Sequence, residues 1–320
     1  MERIGVLTSG GDTPGMNAAI RAVVRAALSK GMDVMGIQKG FAGLIEGRVS
    51  ELYSNDVDNI VSKGGTVLKT ARCEAFKTKE GIEKGIRVLK AFDIEGLVVI
   101  GGDGSMKGAL DLAKRGIMAV GLPGTIDNDL AYTDYTIGFD TAVNHILEHM
   151  DTIKDTMSSH ERIGVIEVMG NKCGDIALYS GMLGGAERII IPEIGYDIES
   201  VCDMLKNDRI KGKYTRIIVV AEGAAKSWKL VREIQERTGF DAKAIVLGYI
   251  QRGGSPTMRD RMLATCTGVR AVELLDQHIG SRAVGIKDDK IVDFDLEEAL
   301  NMRLPFRRRL YDIAVMLANN

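Results

Sequence analysis

Apolar residues in this chain fall in short unbroken runs, separated by stretches with a helical period. The runs at 4–7, 34–37, 96–102, 117–123, 162–170, 188–192, 216–223, 244–250 and 282–286 each read as a strand. Unbroken runs, rather than alternation, predict strands covered on both faces. The clearest helix is predicted over 14–30. Thr13 stands where a cap is expected, Pro14 suits the first turn and Gly31 ends it. Ile20, Val23, Val24, Ala27 and Leu28 share its apolar face, with Arg21 and Arg25 together beside it. Strand–helix alternation of this kind predicts right-handed βαβ units and parallel pairing. The run Ile4-Gly5-Val6 leads into a glycine-rich turn and a helix, and Ile163-Gly164-Val165 does the same. The expected class is therefore α/β: two similar Rossmann-like lobes, each a mostly parallel sheet flanked by helices.

The totals narrow this picture. The chain has 320 residues, 45% of them hydrophobic, enough for two lobes with real cores. A net charge of -2 leaves no global basic field for nucleic acid or a membrane. The four cysteines, Cys73, Cys173, Cys202 and Cys266, are scattered and form no CxxC pair. MERIGVL enters a strand-like run at once, and no apolar stretch reaches membrane-spanning length. The expectation is a soluble, cytoplasmic chain with reduced thiols.

In open α/β sheets ligands gather at the carboxyl ends of strands, and four polar turns fall there. The first is LTSGGDTPGMN, 7–17, whose adjacent glycines suit an anion held by backbone N–H groups and a helix N-terminus. The second is VVIGGDGSMKG, 98–108, with Asp103 among Gly101, Gly102 and Gly104 and Ser105 opening a helix. A carboxylate among phosphate-cradling glycines makes sense beside Mg²⁺; otherwise Asp103 is a helix cap. Neither G-x-G-x-x-G nor G-x-x-x-x-G-K-[ST] is met, so a nucleotide here needs a less common cradle. The third is GLPGTIDND, 121–129. Thr125 offers a hydroxyl, and of Asp127 and Asp129 one can accept a hydroxyl proton while the other orients water around a metal. Asp-Asn-Asp alone is also a common turn sequence. The fourth is GYIQRGGSPTMRDR, 248–261, where Arg252 suits a sugar phosphate; Arg162 and Glu222, at strand ends, can join it. Phosphates on two ligands and a carboxylate base suit phosphoryl transfer.

One pattern competes. His145-Ile-Leu-Glu-His149 matches H-x-x-E-H, an inverted zinc-hydrolase signature, although an i,i+4 histidine pair is commonly plain helix surface. A zinc hydrolase would depend on His145 and be stopped by zinc chelation. A kinase would ignore His145 and require Mg²⁺.

Taken together, LTSGGDTPGMNAAIR, GGDGS, GLPGTIDND, DYTIGFDTA, SSHERIGVIEVMG, AEG and IQRGGSP resemble the bacterial ATP-dependent 6-phosphofructokinases, in family order and over essentially the whole chain. The resemblance implies a homotetramer that uses MgATP to phosphorylate the 1-hydroxyl of fructose 6-phosphate, the committed step of glycolysis. It implies a larger ATP-binding lobe, 1–138 plus 251–304, and a smaller sugar-phosphate-binding lobe, 139–250 plus 305–320. Carried over to this chain, Gly11, Arg72, Cys73, Gly102, Asp103, Gly104 and Ser105 resemble the ATP site, with Asp103 near Mg²⁺. Asp127 resembles the general base, Thr125 touches the transferred group, Asp129 supports the metal side and Arg72 stabilises charge. Met169, Gly170, Glu222 and Arg252 resemble sugar-phosphate contacts, and Arg162 would reach in from a neighbouring subunit. Glycine at 104 and 124 favours ATP, since pyrophosphate-dependent relatives typically carry Asp and Lys there.

The chain also departs from the family. Asn171 and Lys243 stand where Arg is usual, and Tyr249 where His is usual. Lysine keeps the charge but loses the two-pronged grip, so weaker sugar-phosphate affinity is expected. At the effector site, which in the family takes ADP or GDP as activator and phosphoenolpyruvate as inhibitor, Arg21, Arg25, Gly185, Glu187 and Lys213 match. Ser54, Lys154 and Lys211 replace Arg there, and Asn59 replaces Asp. Blunted regulation is the expectation. A non-catalytic sugar-phosphate or nucleotide sensor is the alternative from another class, and it would need no base.

Overall fold

The structure, a computed structural model, describes residues 1–318. The chain divides into two compact units: Met1–Thr141 with Arg252–Leu304, and Ala142–Gln251 with the segment from Pro305 onward.

In chain order, the first unit begins with β1 (Arg3–Thr8), α1 (Met16–Ser29), β2 (Asp33–Ile37), α2 (Gly40–Glu46) and β3 (Val49–Glu51). It continues through α3 (Lys79–Ala91), β4 (Gly96–Gly101), α4 (Asp103–Ala113) and β5 (Met118–Pro123) into the start of α5 (Phe139–Ser159). The second unit contains the rest of α5, then β6 (Ile163–Val168), α6 (Asp175–Leu183), β7 (Arg188–Ile190), α7 (Ile198–Ile210), β8 (Arg216–Ala221), α8 (Ser227–Thr238) and β9 (Ala242–Val246). The chain returns to the first unit for α9 (Met258–Asp276), β10 (Arg282–Lys287), β11 (Lys290–Asp295) and α10 (Leu296–Asn301), and to the second for α11 (Arg308–Ala318).

The seven-stranded sheet of the first unit has the order β11-β10-β5-β4-β1-β2-β3. Its five inner strands are parallel, and β3 and β11 are antiparallel edges. The unbroken apolar runs have a direct cause here. Ile4 and Val6 of β1, with Val98 and Ile100 of β4, pack on one face against Ala19, Val23, Ala271 and Val272 of α1 and α9. Leu7, Leu97 and Val99 pack on the other face with Phe41, Leu89 and Met106. Each fully buried aliphatic side chain of this kind contributes about 1.5–3 kcal/mol. The second unit repeats the plan with four parallel strands, β7-β8-β6-β9. Val165, Ile190, Ile218 and Val220 meet Val201, Leu205, Leu230 and Ile234 of α7 and α8.

Several local readings of the sequence need correction. Thr13 does not cap the first helix. Its hydroxyl donates to the Ile137 carbonyl at 2.8 Å, and α1 starts at Met16 behind Gly15, whose φ of 109° only glycine adopts readily. The run 244–250 is not one strand. β9 ends at Val246, Gly248 turns the chain at φ 53°, and Gly248–Arg252 form a 3₁₀ turn. The second glycine turn leads into a helix from Asp103, two residues before Ser105. The edge strands β3 and β11 carry no strong apolar pattern, and the sequence reading missed them. None of the helices among the described residues is long and apolar enough to cross a membrane.

One buried carboxylate braces the first unit. Asp260, 1% exposed in the first turn of α9, accepts bonds from the Gly138 amide (2.8 Å) and the Thr141 amide (2.8 Å) and hydroxyl. Burial outweighs these bonds and pushes its carboxyl up to about 6. A folded-state value above the unfolded one means that this carboxyl's protonation favours folding. Its contribution is full at low pH and is lost as pH rises through about 6. The stability of the wild type relative to Asp260→Asn is therefore expected to fall from about pH 4, as the unfolded carboxyl ionises, to just above about 6, and then to level off. Urea unfolding of both proteins across that range checks this; a gap that stays constant, or that widens in favour of the wild type, contradicts it.

Candidate active site

In the first unit, the polar turns converge at the carboxyl ends of β1, β4 and β5. The Ser9 amide donates to the Ile100 carbonyl and the Gly124 amide to the Gly101 carbonyl, both at 3.0 Å. These bonds tie the turns after three adjacent parallel strands into one edge. A β-carbon on Gly102 would lie 3.5 Å from that of Thr125, and one on Gly10 would lie 3.5 Å from the Ser105 hydroxyl. The segment bearing Arg72 joins the same edge: the Thr70 hydroxyl donates to the Gly10 carbonyl and the Thr8 hydroxyl to the Lys69 carbonyl, both at 2.9 Å. Arg72 is exposed, and Cys73 starts a 3₁₀ turn. Arg252 reaches the first turn too. Its guanidinium donates to the Asp12 carbonyl at 3.1 Å, and a β-carbon on Gly11 would overlap it. A side chain at position 11 would therefore displace the Arg252 guanidinium. Gly104 faces open space, with no atom within 4 Å of where a β-carbon would sit.

The carboxylates occupy different environments. Asp103 opens α4, where first-turn amides have no intrahelical partner and favour anions. It is 46% exposed and pairs with Lys107 at 2.6 Å. Asp127 follows Thr125, whose hydroxyl oxygen accepts the Asp127 amide at 3.1 Å. Burial, joined by the charge of Asp103, pushes the Asp129 carboxyl above the usual range, and its Oδ1 is buried with no hydrogen-bond partner. Asn128 separates the two aspartates. It is 1% exposed and left-handed at φ 53°, and its side-chain oxygen accepts the Thr136 amide at 3.1 Å. Asparagine tolerates that conformation and can close a turn through its side chain, so one residue makes the turn and anchors it.

The second unit gathers a separate set. The Met169 amide donates to Gln251 Oε1 at 3.0 Å, and the Asn171 amide donates to Glu222 Oε1 at 3.1 Å. Gly170 has φ 131°, and a β-carbon on Gly223 would overlap the Asn171 carbonyl. Met169, Gly170 and Glu222 thus stand together beyond the carboxyl ends of β6 and β8, and Tyr249 is 83% exposed in its 3₁₀ turn. Arg162 and Lys243 do not join them. They sit at the opposite ends of β6 and β9, a six-residue strand or about 20 Å away. There one carboxylate bridges both: Asp241 meets Arg162 at 2.6 Å and Lys243 at 2.7 Å, and these bonds, Lys243 first, hold its carboxyl below the usual range.

Three of the effector-site candidates line one cavity of about 180 Å³ in the second unit: Gly185, Glu187 and Lys213, with Arg216 and the end of α11. Burial pushes the Glu187 carboxyl up, although it accepts the Ile217 amide at 2.7 Å. Lys154 bonds the Gly184 carbonyl nearby, and Lys211 ends α7. Arg21 and Arg25 belong to the first unit, where Arg25 pairs with Asp58. The histidine pair forms no metal site. His149 Nδ1 lies 2.7 Å from the His145 carbonyl, and among the described residues no group of three or more His, Cys, Asp or Glu could hold a metal.

Asn128, Asp241, Gln251 and Asp260 were missed in the sequence. Only Asn128 left a signal, as the middle of an Asp-Asn-Asp turn.

Two α/β units, one bringing glycine-rich turns and a pair of aspartates to one strand edge, make an arrangement suited to phosphoryl transfer. Comparison with known proteins makes this specific. A profile of the Phosphofructokinase family matches residues 3–275, and the chain belongs to that family. It is 55% identical over 318 residues to an "ATP-dependent 6-phosphofructokinase" of Clostridium botulinum (strain Hall), covering 99% of this chain and 100% of the relative. Among solved structures it resembles phosphofructokinase from Saccharomyces cerevisiae, with a TM-score of 0.87 and 35% identity over 99% of this chain. It also resembles Pichia pastoris phosphofructokinase in the T-state, with a TM-score of 0.88 and 37% identity over 93% of this chain. It spans 48% and 35% of those longer chains.

Proposed function

We propose that this protein is an ATP-dependent 6-phosphofructokinase. It transfers the γ-phosphoryl group of ATP to the 1-hydroxyl of fructose 6-phosphate, giving fructose 1,6-bisphosphate and ADP. One observation carries the reading: Gly11, Gly102–Ser105 and Thr125–Asp129 meet on one strand edge, in a chain 55% identical over its length to a protein of that name.

Each residue's part follows from its setting. The amides around Gly11 and at the start of α4 receive phosphate oxygens. Asp127 takes the proton of the attacking hydroxyl as its oxygen bonds to phosphorus and the bond to the ADP oxygen breaks. The Thr125 oxygen already accepts the Asp127 amide, so its own hydroxyl proton is available for an oxygen of the transferred group. Arg72, exposed beside the first turn, offsets the charge that develops there. Met169, Gly170, Glu222 and Arg252 receive the sugar phosphate. Arg162 and Lys243, standing at the far edge of their own sheet, serve a neighbouring subunit's site in a homotetramer.

The chemistry of Asp103 and Asp129 fits a hard divalent cation, Mg²⁺. The two carboxylates feel one another's charge, and a buried oxygen of Asp129 has no donor. When bound, Mg²⁺ supplies positive charge against the phosphate oxygens. Gly104 faces free space and so keeps the adenosine side open, whereas a β-carbon on Gly124 would lie 2.9 Å from Ile100 and 3.1 Å from the Gly101 nitrogen. A location in the cytoplasm, where ATP and reduced thiols are found, suits the free cysteines. The cavity of Gly185, Glu187 and Lys213 takes an anionic effector: ADP, GDP or phosphoenolpyruvate.

Asp127→Ser is expected to lower kcat by about 10²–10⁴ while leaving the KM for ATP within a few-fold. A coupled assay for fructose 1,6-bisphosphate checks this, and a loss below tenfold contradicts the assignment of the base. With Ser54, Lys154 and Lys211 in place of forked cations, phosphoenolpyruvate is expected to inhibit weakly and without marked sigmoidicity. Fructose 6-phosphate saturation curves at rising phosphoenolpyruvate test that; a steeply sigmoidal response relieved by ADP rules it out.

A further inference from the structure

The loop after β6 carries Met169 and Gly170, and two of its amides are taken by side chains from the segments that follow β8 and β9. On the β8 side, the Asn171 amide donates to Glu222 Oε1 at 3.1 Å. On the β9 side, the Met169 amide donates to Gln251 Oε1 at 3.0 Å. The strand order β7-β8-β6-β9 puts β6 between those two strands, so the loop is held from both flanks. Glu222 is half-buried, whereas Gln251 is wholly buried.

The bond to Gln251 stands in for a missing rung of the sheet. β6 and β9 pair in parallel as far as Glu167 with Val246, and the Leu247 amide still donates to the Glu167 carbonyl at 3.2 Å. Gly248 then turns the chain at φ 53° into the 3₁₀ turn Gly248–Arg252. The next amide on that edge of β6 is that of Met169, because parallel rungs recur every second residue. The main chain has turned away from it, and Gln251 supplies the acceptor from its side chain. The Gln251 Nε2 donates to the Gly248 carbonyl at 3.0 Å, so both ends of the amide are bound to main chain. Only this orientation of the amide sets a donor against an acceptor at both ends. Glu167 is committed elsewhere, to Lys226 Nζ at 3.0 Å and to the Ser227 amide and hydroxyl, both at 2.8 Å.

We propose that Gln251 is a positioning residue for the sugar-phosphate site: its buried amide locks the Met169–Gly170 loop to the turn that carries Tyr249, and so fixes the spacing of these two segments without touching substrate. This role rests on the assignment of Met169 and Gly170 to fructose 6-phosphate; the two hydrogen bonds do not. A buried amide bound at both ends is costly to replace, since removing it strands the Met169 amide and the Gly248 carbonyl together.

Steady-state kinetics of the whole enzyme, with fructose 6-phosphate and MgATP varied in turn, test this in Gln251→Met and Gln251→Glu. Methionine keeps the length and removes both bonds. The KM for fructose 6-phosphate is expected to rise about tenfold, with kcat and the KM for ATP within about twofold. Glutamate restores both bonds only when protonated: its O–H then donates to the Gly248 carbonyl while its other oxygen accepts the Met169 amide. Burial favours that neutral form, and ionisation removes the donor. Relative to wild type at the same pH, the fructose 6-phosphate KM of Gln251→Glu is therefore expected within about twofold at about pH 6, rising towards about tenfold by about pH 8.5. The Gln251→Met ratio stays flat. An unchanged fructose 6-phosphate KM in Gln251→Met, or a loss confined to kcat as fewer folded molecules would give, overturns the proposal. So does a Gln251→Glu ratio that ignores pH, and that profile decides alone if methionine prevents folding. A wild type without fructose 6-phosphate turnover overturns the assigned reaction and this role together. An active wild type beside variants with wild-type constants overturns this role alone.

Discussion

The hydrogen bond from the Gly124 amide to the Gly101 carbonyl joins the two turns on which the proposed chemistry depends. One turn carries Asp103 at a helix N-terminus, and the other carries Thr125, Asp127 and Asp129. The bond is available because β4 and β5 are parallel, in register from Gly96 with Met118 to Gly101 with Pro123. Parallel register therefore brings both turns out on the same edge at the same height. The glycines then let the turns close up: Gly102 lies against Thr125, and Gly11 admits the Arg252 guanidinium. Without that register the same residues would be scattered loop tips.

The carboxylates are held at some cost to stability. Asp129 and Asp260 are both pushed up by burial, yet they differ in what surrounds them. Asp260 spends its oxygens on Gly138 and Thr141, and so braces the start of α5. Asp129 keeps a buried oxygen free of protein donors, which suits a group that must take a ligand. That contrast separates a carboxylate that holds the scaffold from one proposed to serve the chemistry.

The two-lobed plan and the glycine turns were legible in the sequence because their causes are local. Strands covered on both faces read as unbroken apolar runs, and turns whose backbones crowd together at the strand ends read as clustered glycines. What stayed hidden depends on distant partners. Thr13 looked like a cap but bonds Ile137, 124 residues on. The run through 244–250 was apolar enough for one strand, yet Gly248 ends it, so Tyr249 stands on a turn. Asp241 gives no sign in sequence that it bridges Arg162 and Lys243. The edge strands β3 and β11 lie half in solvent and need no marked pattern.

The central claim is that this strand edge moves a phosphoryl group from ATP to fructose 6-phosphate. Phosphorus NMR of the wild-type protein with fructose 6-phosphate and Mg²⁺, given either ATP or pyrophosphate, tests it most directly. The account predicts fructose 1,6-bisphosphate and ADP appearing together with ATP, and no bisphosphate with pyrophosphate. Sugar bisphosphate formed from pyrophosphate, or no transfer from either donor, would contradict it.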